Sequence, residues 1–353
     1  LFRSPACWVI CEWIRSWLLT GFPWLTLGYS QLDTSLAGFA PVLGLYGVSL
    51  ALVVTMAAFT GIFHATGCTQ RLAFIAIAAL ITLTGWRLTE VDWVERDGEP
   101  LSISLIQGNI PQDLKFEPDQ FVKTLATYKR LIDSSAAKLV VLPETAIPRF
   151  LDLIDPKYLE DIVTRARTKR SDVIAGAPFR NITGHYFNGI VNLGYSDLRF
   201  YAKSHLVPFG EYIPRGFEWF VSAMITPLGN HQPGPALQKP FPIKQDSTNI
   251  YAGIMICYED VFGGELAKRQ RESDLPHHLW INMTNLAWFG DGAVLDQHLR
   301  LARMRSLETG IPTIRATNTG VTAIIDSQGE IVSQLPTWQQ SKLKGEVQAY
   351  DGQ

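Results

Sequence analysis

Residues 249–262 read NIYAGIMICYEDVF, where an apolar stretch with the composition of a strand leads directly into a lone cysteine, Cys257. The pattern predicts a buried strand from Asn249 to Ile256 that ends at this cysteine. A cysteine at the end of an apolar strand is more often inert core than reactive. The other interpretation is a nucleophile, because a rigid strand aims the side chain that follows it while the next loop leaves room for a substrate.

Strand and helix patterns alternate on both sides of this stretch, from about Glu90 onward. Strand patterns lie at 102–107, 138–142, 172–177, 278–282, 313–316 and 321–325, and helical patterns lie at 120–134, 159–169 and 296–308. Alternation of this kind predicts an α/β layered domain rather than a β-sandwich. The preceding residues 91–100, VDWVERDGEP, read as a linker.

The first part of the chain has few charges and two long apolar runs. Residues 41–63 carry no charged side chain. As a helix they would extend about 34 Å, enough to cross a hydrocarbon core. The second run, 72–86, is flanked by arginines whose long side chains can reach the membrane surface. We therefore predict a transmembrane and interfacial region over residues 1–95, with spans at about 41–63 and 72–88. The alternative is two buried helices of a soluble core.

Four tryptophans precede these runs within a short stretch, which is typical of a membrane–water interface. They are Trp8, Trp13, Trp17 and Trp24. We expect a partial span to follow, over residues 16–32. The turn between the two long runs holds His64 and Arg71, a weak positive-inside signal that places the turn in the cytoplasm and everything after Glu90 outside. The chain begins with Leu1 and is expected to be a fragment that lacks its true N-terminus.

The composition of the whole chain disfavours two classes of function. The formal net charge of −2 over 353 residues gives no basic footprint for nucleic acid. The four cysteines form no CxxC pair and have no histidine at ligand spacing, so we expect neither a metal site nor a cofactor. Cys7 and Cys11 could meet on one helix face, but small apolar packing residues are the more ordinary interpretation.

Two further polar residues follow strand patterns, as Cys257 does. Glu144 lies in VVLPETAIP, residues 140–148, and Lys203 lies in RFYAKSHLVPFGEYIP, residues 199–214. Each alone is usually a solvated surface charge. Together they suit acyl transfer, because a thiol of pKa about 8.5 needs a base such as Glu144 before it can attack. Lys203 would place a positive charge at the oxyanion of the tetrahedral intermediate.

The order Glu, Lys, Cys and the words PE, KSHLVPFGE and CYED resemble the nitrilase, or carbon–nitrogen hydrolase, superfamily. The resemblance implies a catalytic triad of Glu144, Lys203 and Cys257. It also implies a nitrilase-like αββα sandwich over residues 101–353, attached to the N-terminal transmembrane helical region. Further words resemble the apolipoprotein N-acyltransferases, the membrane family of that superfamily. They are FPWLTLGYSQ (22–31), QGNIPQ (107–112), NLAWFGD (285–291), ARMRSLETGIP (302–312) and ATNTGVTAIID (316–326).

What this resemblance implies is a two-step reaction in lipoprotein maturation. Cys257 would take an acyl chain from a phospholipid as a thioester, and a lysophospholipid would leave. The α-amine of an apolipoprotein's diacylglyceryl-cysteine would then attack the thioester. The family resemblance also implies a multi-pass protein of the bacterial inner membrane, with its catalytic domain on the periplasmic side. Because the family has several helices before this point and one after the domain, the resemblance further implies a fragment that lacks both termini.

The resemblance assigns further residues by position. Glu211, Glu259 and Tyr258 would support the active site, although a turn cap at Gly210 for Glu211 and simple packing for Tyr258 stay open. The residues assigned to a substrate pocket or lid are Phe116, Asn188, Trp219, Phe220 and Trp288; the family can carry a Trp near Phe116. Residues 206–229 are more apolar than a surface loop needs, so they read as a lid facing the bilayer or as a loop packed on its own domain.

Two rival functions remain open from the sequence. One is a membrane-anchored amidase or nitrilase, which would use the same triad with water as the acceptor. The other is a non-catalytic membrane scaffold that kept the fold. The intact set of Glu144, Lys203 and Cys257 disfavours the scaffold, and the membrane runs with the apolar lid favour a lipid substrate.

Overall fold

The first part of the chain is helical. The computed structural model describes residues 3–115, 117–214, 216, 231–245 and 249–351. Helix α1 spans Arg3–Arg15, α2 spans Ala40–His64 and α3 spans Cys68–Thr89, with 3-10 helices at Leu18–Thr20, Leu27–Gln31 and Ser35–Phe39. Helices α2 and α3 are long and apolar enough to cross a membrane, and α3 leaves almost all of its surface exposed. Exposed apolar helices suit a hydrocarbon surrounding, whereas the core helix of a soluble protein is buried.

The segment between α1 and α2 contradicts one expectation. Residues 16–32 form no partial span; they contain only two of the short 3-10 helices. The cause is local, because Leu19, Thr20 and Gly21 have φ values of 52°, 90° and 82°, a left-handed backbone that cannot continue a helix. Cys7 and Cys11 are also exposed on α1, so they are not packed filler.

The rest of the chain builds two six-stranded sheets and a two-stranded sheet of β4 and β5. The strands are β1 Glu95–Gln107, β2 Leu139–Val141, β3 Asp172–Gly176, β4 Phe179–Arg180, β5 Tyr186–Phe187, β6 Gly189–Asn192, β7 Phe200–Ala202, β8 Phe241–Lys244, β9 Asn249–Ile256, β10 Leu279–Thr284, β11 Thr313–Thr317, β12 Ala323–Ile325, β13 Ile331–Gln334 and β14 Ser341–Asp351. One sheet has the order β14-β1-β2-β3-β6-β7 and the other β13-β12-β11-β10-β9-β8. The pairs β1–β2, β2–β3, β9–β10 and β10–β11 are parallel.

The two sheets face each other across one apolar core, and helices cover their outer sides. The helices are α4 Pro118–Asp133, α5 Pro156–Thr168, α6 Gly263–Glu272 and α7 Val294–Thr309. Side chains such as Leu105 and Ile174 of the first sheet pack against Ile254 and Ile281 of the second. Helices α4 and α5 pack against the first sheet, and α6 and α7 pack against the second. These are the layers of an αββα sandwich, so the predicted fold class is confirmed.

The interpretation of residues 91–100 as a linker is wrong in part. Strand β1 already begins at Glu95, and it pairs in antiparallel fashion with β14, Glu95 opposite Asp351. This charged start has no apolar alternation, so nothing local signals a strand. Its partner strand comes from the other end of the domain, and the pairing continues the sheet toward α3.

A shared apolar cluster joins the N-terminal region to the sandwich. Tyr29, Leu36 and Val48 pack with Tyr258 and Met304. The main-chain N–H of Leu45 in α2 also donates a 2.6 Å hydrogen bond to the Glu308 carboxylate on α7. The apolar helices of the N-terminal region are therefore packed against the domain next to the turn that follows β9.

Candidate active site

Glu144, Lys203 and Cys257 each follow the end of a strand, and the sandwich brings them together. Lys203 follows β7, and its Nζ lies 3.8 Å from Glu144 Oε1. Cys257 follows β9 and interacts electrostatically with both residues. Glu144 is 8% exposed and Lys203 is 1% exposed. A carboxylate, a cation and a thiol thus lie close together at the carboxyl ends of the strands, where α/β folds bind their ligands.

Glu211 and Asn188 fix the geometry of this pair. Glu211 Oε2 lies 2.8 Å from Lys203 Nζ. Asn188 Nδ2 donates one hydrogen bond of 2.8 Å to Glu144 Oε1 and another of 2.8 Å to Glu211 Oε1. Burial alone would lower the pKa of Lys203, but Glu211 and Glu144 outweigh it and hold that pKa above its usual range. Lys203 is therefore a permanent cation at neutral pH.

The surroundings of Cys257 favour the protonated thiol over the thiolate. Burial raises the pKa of this thiol to about 12, and the Glu144 carboxylate adds to the rise while Lys203 opposes it. The backbone of Cys257 is left-handed, with a φ of 50°, and the residue opens the 3-10 helix Cys257–Val261. A thiol of this kind becomes a nucleophile only if its proton is taken during the attack.

Glu144, which interacts electrostatically with Cys257, is held in place by hydrogen bonds. Its second oxygen, Oε2, accepts a 3.0 Å hydrogen bond from the main-chain N–H of Asn285. Asn285 Nδ2 in turn donates to Gln112 Oε1 at 2.6 Å. Both residues lie in sequence motifs that carry the family resemblance. The sequence alone predicts no role for either residue, because a motif does not indicate which side chains face the site.

Lys115 is a further cation that the sequence did not single out. It is 3% exposed, and it interacts electrostatically with Glu144. Burial lowers the pKa of Lys115 to about 8, against the opposing effect of Glu144. Among the residues that the structure describes, no hydrogen bond or ion pair holds its ammonium group. A lysine in a polar loop is usually a surface charge, so the sequence carries no signal of this burial.

Glu259 and Tyr258 hold the nucleophile turn from two sides. Glu259 is 1% exposed and pairs with Arg269 at 3.1 Å. Burial would raise the pKa of Glu259, but Arg269 and several donated hydrogen bonds lower it. Tyr258 Oη donates to the main-chain oxygen of Gly21 at 3.1 Å, and its ring stacks near Phe22, with centroids 6.3 Å apart. Contacts with both the catalytic domain and the N-terminal region therefore hold the turn in place.

An apolar cavity of about 870 Å³ opens beside Cys257. Both parts of the chain build its wall. The apolar lining includes Ile14, Leu18, Phe22, Trp24, Val207, Pro208, Phe209, Tyr258, Leu286, Phe289 and Val294. Its volume is at the upper end of the roughly 300–1,000 Å³ of typical ligand pockets. The cavity can hold a long apolar group with its reactive end at the thiol.

The residues predicted for the pocket or lid have mixed outcomes. Asn188 is in the site. Trp288 is 71% exposed, while its neighbour Phe289 lines the cavity. Phe116, Trp219 and Phe220 lie outside the described residues. Of the predicted lid, Val207, Pro208 and Phe209 line the cavity.

Comparison with known proteins agrees with this geometry. The carbon-nitrogen hydrolase family profile matches residues 102–352, and the profile of the apolipoprotein N-acyltransferase N-terminal domain matches residues 1–59. A solved carbon-nitrogen hydrolase from Helicobacter pylori G27 has the same fold, with a TM-score of 0.50 and 16% sequence identity, covering 70% of this chain and 89% of that protein.

Two curated relatives are each named apolipoprotein N-acyltransferase. The protein of Ralstonia nicotianae is 40% identical over 98% of this chain, which spans 65% of the relative's length. The protein of Nitrosomonas europaea is 39% identical over 98% of this chain, which spans 68% of its length. The chain therefore belongs to the apolipoprotein N-acyltransferase family, within the carbon-nitrogen hydrolases.

Proposed function

We propose that this chain moves an acyl chain from a phospholipid, through a thioester on Cys257, to the N-terminal diacylglyceryl-cysteine of apolipoproteins. The observation that carries the proposal is the apolar cavity that leads to Cys257 and is walled in part by the N-terminal region. A hydrolase of small polar amides needs no such cavity. An acyl chain does need one, because each CH₂ exposed to water costs about 0.8 kcal/mol.

In the first step, Cys257 Sγ attacks the ester carbonyl carbon of the phospholipid while Glu144 takes the thiol proton. The negative charge that forms on the carbonyl oxygen lies near Lys203 Nζ. The ester C–O bond then breaks, Glu144 returns the proton to the leaving oxygen, and a lysophospholipid departs. The raised pKa of Cys257 supports this order, because proton transfer has to accompany the attack.

In the second step, the neutral α-amine of the acceptor attacks the thioester carbonyl. Glu144 takes a proton from the attacking nitrogen and gives it to Sγ as the C–S bond breaks. The products are the amide and the free thiol, so the cycle is ping-pong. Lys203, held by Glu211, stabilises the oxyanion in both steps, and such preorganised electrostatic stabilisation is usually the largest single contribution to catalysis.

Exposed apolar side chains at the cavity support a membrane location, and we propose the bacterial inner membrane. Leu18, Leu19 and Phe22 line the cavity and are also exposed at the surface, and a patch of this kind suits lipid rather than water. We propose a multi-pass protein with a membrane region over about residues 1–95 and a catalytic domain over about 101–353. The turn with His64 and Arg71 would face the cytoplasm, which leaves the catalytic domain in the periplasm.

The experiment is intact-protein mass spectrometry after incubation with a phospholipid that has one labelled acyl chain. We expect the mass to rise by one acyl group, and the adduct to disappear when a diacylglyceryl-cysteine peptide is added and becomes N-acylated. Cys257→Ala is the control. The same adduct on Cys257→Ala would refute the assignment, and release of free fatty acid with no acylated peptide would indicate a hydrolase.

A further inference from the structure

The backbone of Cys257 needs an external constraint. Its φ of 50° is left-handed, which is unfavourable for a residue with a Cβ and persists where the surroundings hold it. The direction of the Sγ atom depends on this backbone angle. Whatever holds the main chain of Cys257 therefore also aims the nucleophile.

Two side chains reach the main chain of Cys257, Asn282 from the neighbouring strand β10 and His298 from α7. Asn282 Nδ2 donates to the Cys257 main-chain oxygen at 3.4 Å and to Asp260 Oδ2 at 3.1 Å. Asn282 and Asp260 are both fully buried. Asp260 belongs to the 3-10 helix that Cys257 opens. Asn282 thus holds the nucleophile turn at both of its ends.

The orientation of the Asn282 amide is itself fixed. Arg315 Nη1, from strand β11, donates to Asn282 Oδ1 at 3.1 Å and to Asp260 Oδ2 at 3.3 Å. In an amide turned the other way, the NH₂ group would face the guanidinium donors, and the amide oxygen would face the Asp260 carboxylate. Both contacts are unfavourable, so the arginine excludes that orientation.

A histidine completes the cluster. Arg315 Nη2 also donates to His298 Nδ1, which places the ring proton on Nε2, 3.4 Å from Asp260 Oδ1. His298 and Arg315 are fully buried. The ring of Trp24, which lines the apolar cavity, lies 5.3 Å from the His298 ring. The cluster therefore lies between the cavity wall and the nucleophile turn.

We propose that Asn282 is a positioning residue for Cys257, and that Arg315 and Asp260 orient its amide so that it holds the Cys257 main chain. None of these side chains touches the substrate in the reaction described above. The inference rests on the proposed function for its effect on acyl transfer. Its effect on the aim of the thiol is independent of that function.

Two variants of Asn282 separate positioning from support of the fold. Asn282→Leu removes the donor at similar size, and Asn282→Asp replaces it by an acceptor. We expect the rate constant of thioester formation at saturating phospholipid to fall about 100-fold in both, as for a small misplacement of a reacting group. The KM for phospholipid should change little, because the cavity wall is intact.

The decisive variant exchanges the two residues, Asp260→Asn with Asn282→Asp. The exchange keeps one carboxylate beside Arg315 and one hydrogen bond between positions 260 and 282, but position 282 has no hydrogen for the Cys257 oxygen. We expect the melting temperature lost in Asn282→Asp to return in large part while thioester formation stays about 100-fold low. An exchange variant that recovers thioester formation would show that the cluster only supports the fold.

A matched control and a second readout complete the test. Arg303→Met removes another buried arginine of the domain, which pairs with Asp33 at 2.8 Å and with Glu330, and donates to the Gly329 main-chain oxygen. It should lower the melting temperature and leave thioester formation normal. Alkylation of Cys257 by iodoacetamide should slow in the Asn282 variants as well. If the unaltered protein forms no thioester, the proposed function fails, but the alkylation rates still test the positioning role of Asn282. Equal alkylation rates in the unaltered protein and the Asn282 variants would overturn that role.

Discussion

The protonation state of Cys257 can be tested with a neutral alkylating reagent. Cys7, Cys11 and Cys68 are exposed, so they are first replaced by serine to leave one thiol. The pKa of Cys257 is raised from its ordinary value of 9.0 to about 12, which lowers the thiolate fraction at neutral pH about 1,000-fold. The more basic thiolate is also more nucleophilic, with a Brønsted slope of about 0.4–0.5. The net expectation is alkylation roughly 30- to 60-fold slower than that of an ordinary thiol.

The assay is the rate of iodoacetamide addition between pH 6 and 9, followed by intact mass. The logarithm of the rate should rise with pH at a slope of about 1 throughout, because the thiol titrates above this range. A plateau near neutral pH would refute the reasoning. It would mean a stable thiolate already paired with Lys203, and Glu144 would then have no proton to take from the thiol.

The variant Glu144→Gln gives the strongest contrast. The Glu144 carboxylate raises the pKa of Cys257, so removing its charge should lower that pKa and speed alkylation. The same change removes the general base and should slow thioester formation by about 100- to 10,000-fold. Opposite directions in the two assays are expected only if Glu144 both disfavours the resting thiolate and takes the proton in the reaction. A fall in both rates would indicate that Glu144 acts through the fold.

Three further predictions use other residues of the site. Lys203→Met should stay folded and lose about 100- to 1,000-fold in the rate of thioester formation; near-normal acylation would exclude Lys203 from the oxyanion site. Lys115 is buried with its pKa lowered to about 8 from 10.5, so the unfolded chain binds more protons between these values and stability should rise with pH from about 8 to 10.5. Lys115→Met should remove that pH dependence, and its free energy of unfolding at pH 7 should exceed that of the unaltered protein by up to about 3 kcal/mol. The same dependence of melting temperature on pH in both proteins would contradict this prediction. Phe22→Ser with Phe289→Ser should slow transfer from a long-chain phospholipid far more than from a short, water-soluble ester, and equal losses would mean that both rings only support the fold.

The part of the fold that local patterns decide could be predicted from the sequence. Strand β9 and the apolar helices α2 and α3 have patterns that need no partner to be recognised, because burial in the core or in lipid imposes them residue by residue. The start of β1 could not be predicted. Glu95 and Arg96 are in a strand because β14 pairs with them, and pairing across the whole domain leaves no local signal.

The candidate site shows the same division. Glu144, Lys203 and Cys257 could be recognised because each lies in a distinctive sequence motif just after a strand pattern. Lys115 and Arg315 do not, because what marks them is burial and orientation, which are properties of the assembled sandwich. Arg315 lies in the strand Thr313–Thr317, where the sequence alone would place an arginine on the solvent face; it is instead fully buried.

The N-terminal region is part of the active site rather than only an anchor. The 3-10 helix that begins at Cys257 is fastened to it through the 3.1 Å hydrogen bond from Tyr258 to Gly21. Phe22 and Trp24 of that region form one side of the cavity that leads to the thiol. Without them that side would open to water. In the proposed reaction this would destabilise a bound acyl chain and give water access to the thioester. We therefore expect a catalytic domain separated from these residues to keep the proposed triad but to lose the wall that would favour an amine acceptor over water.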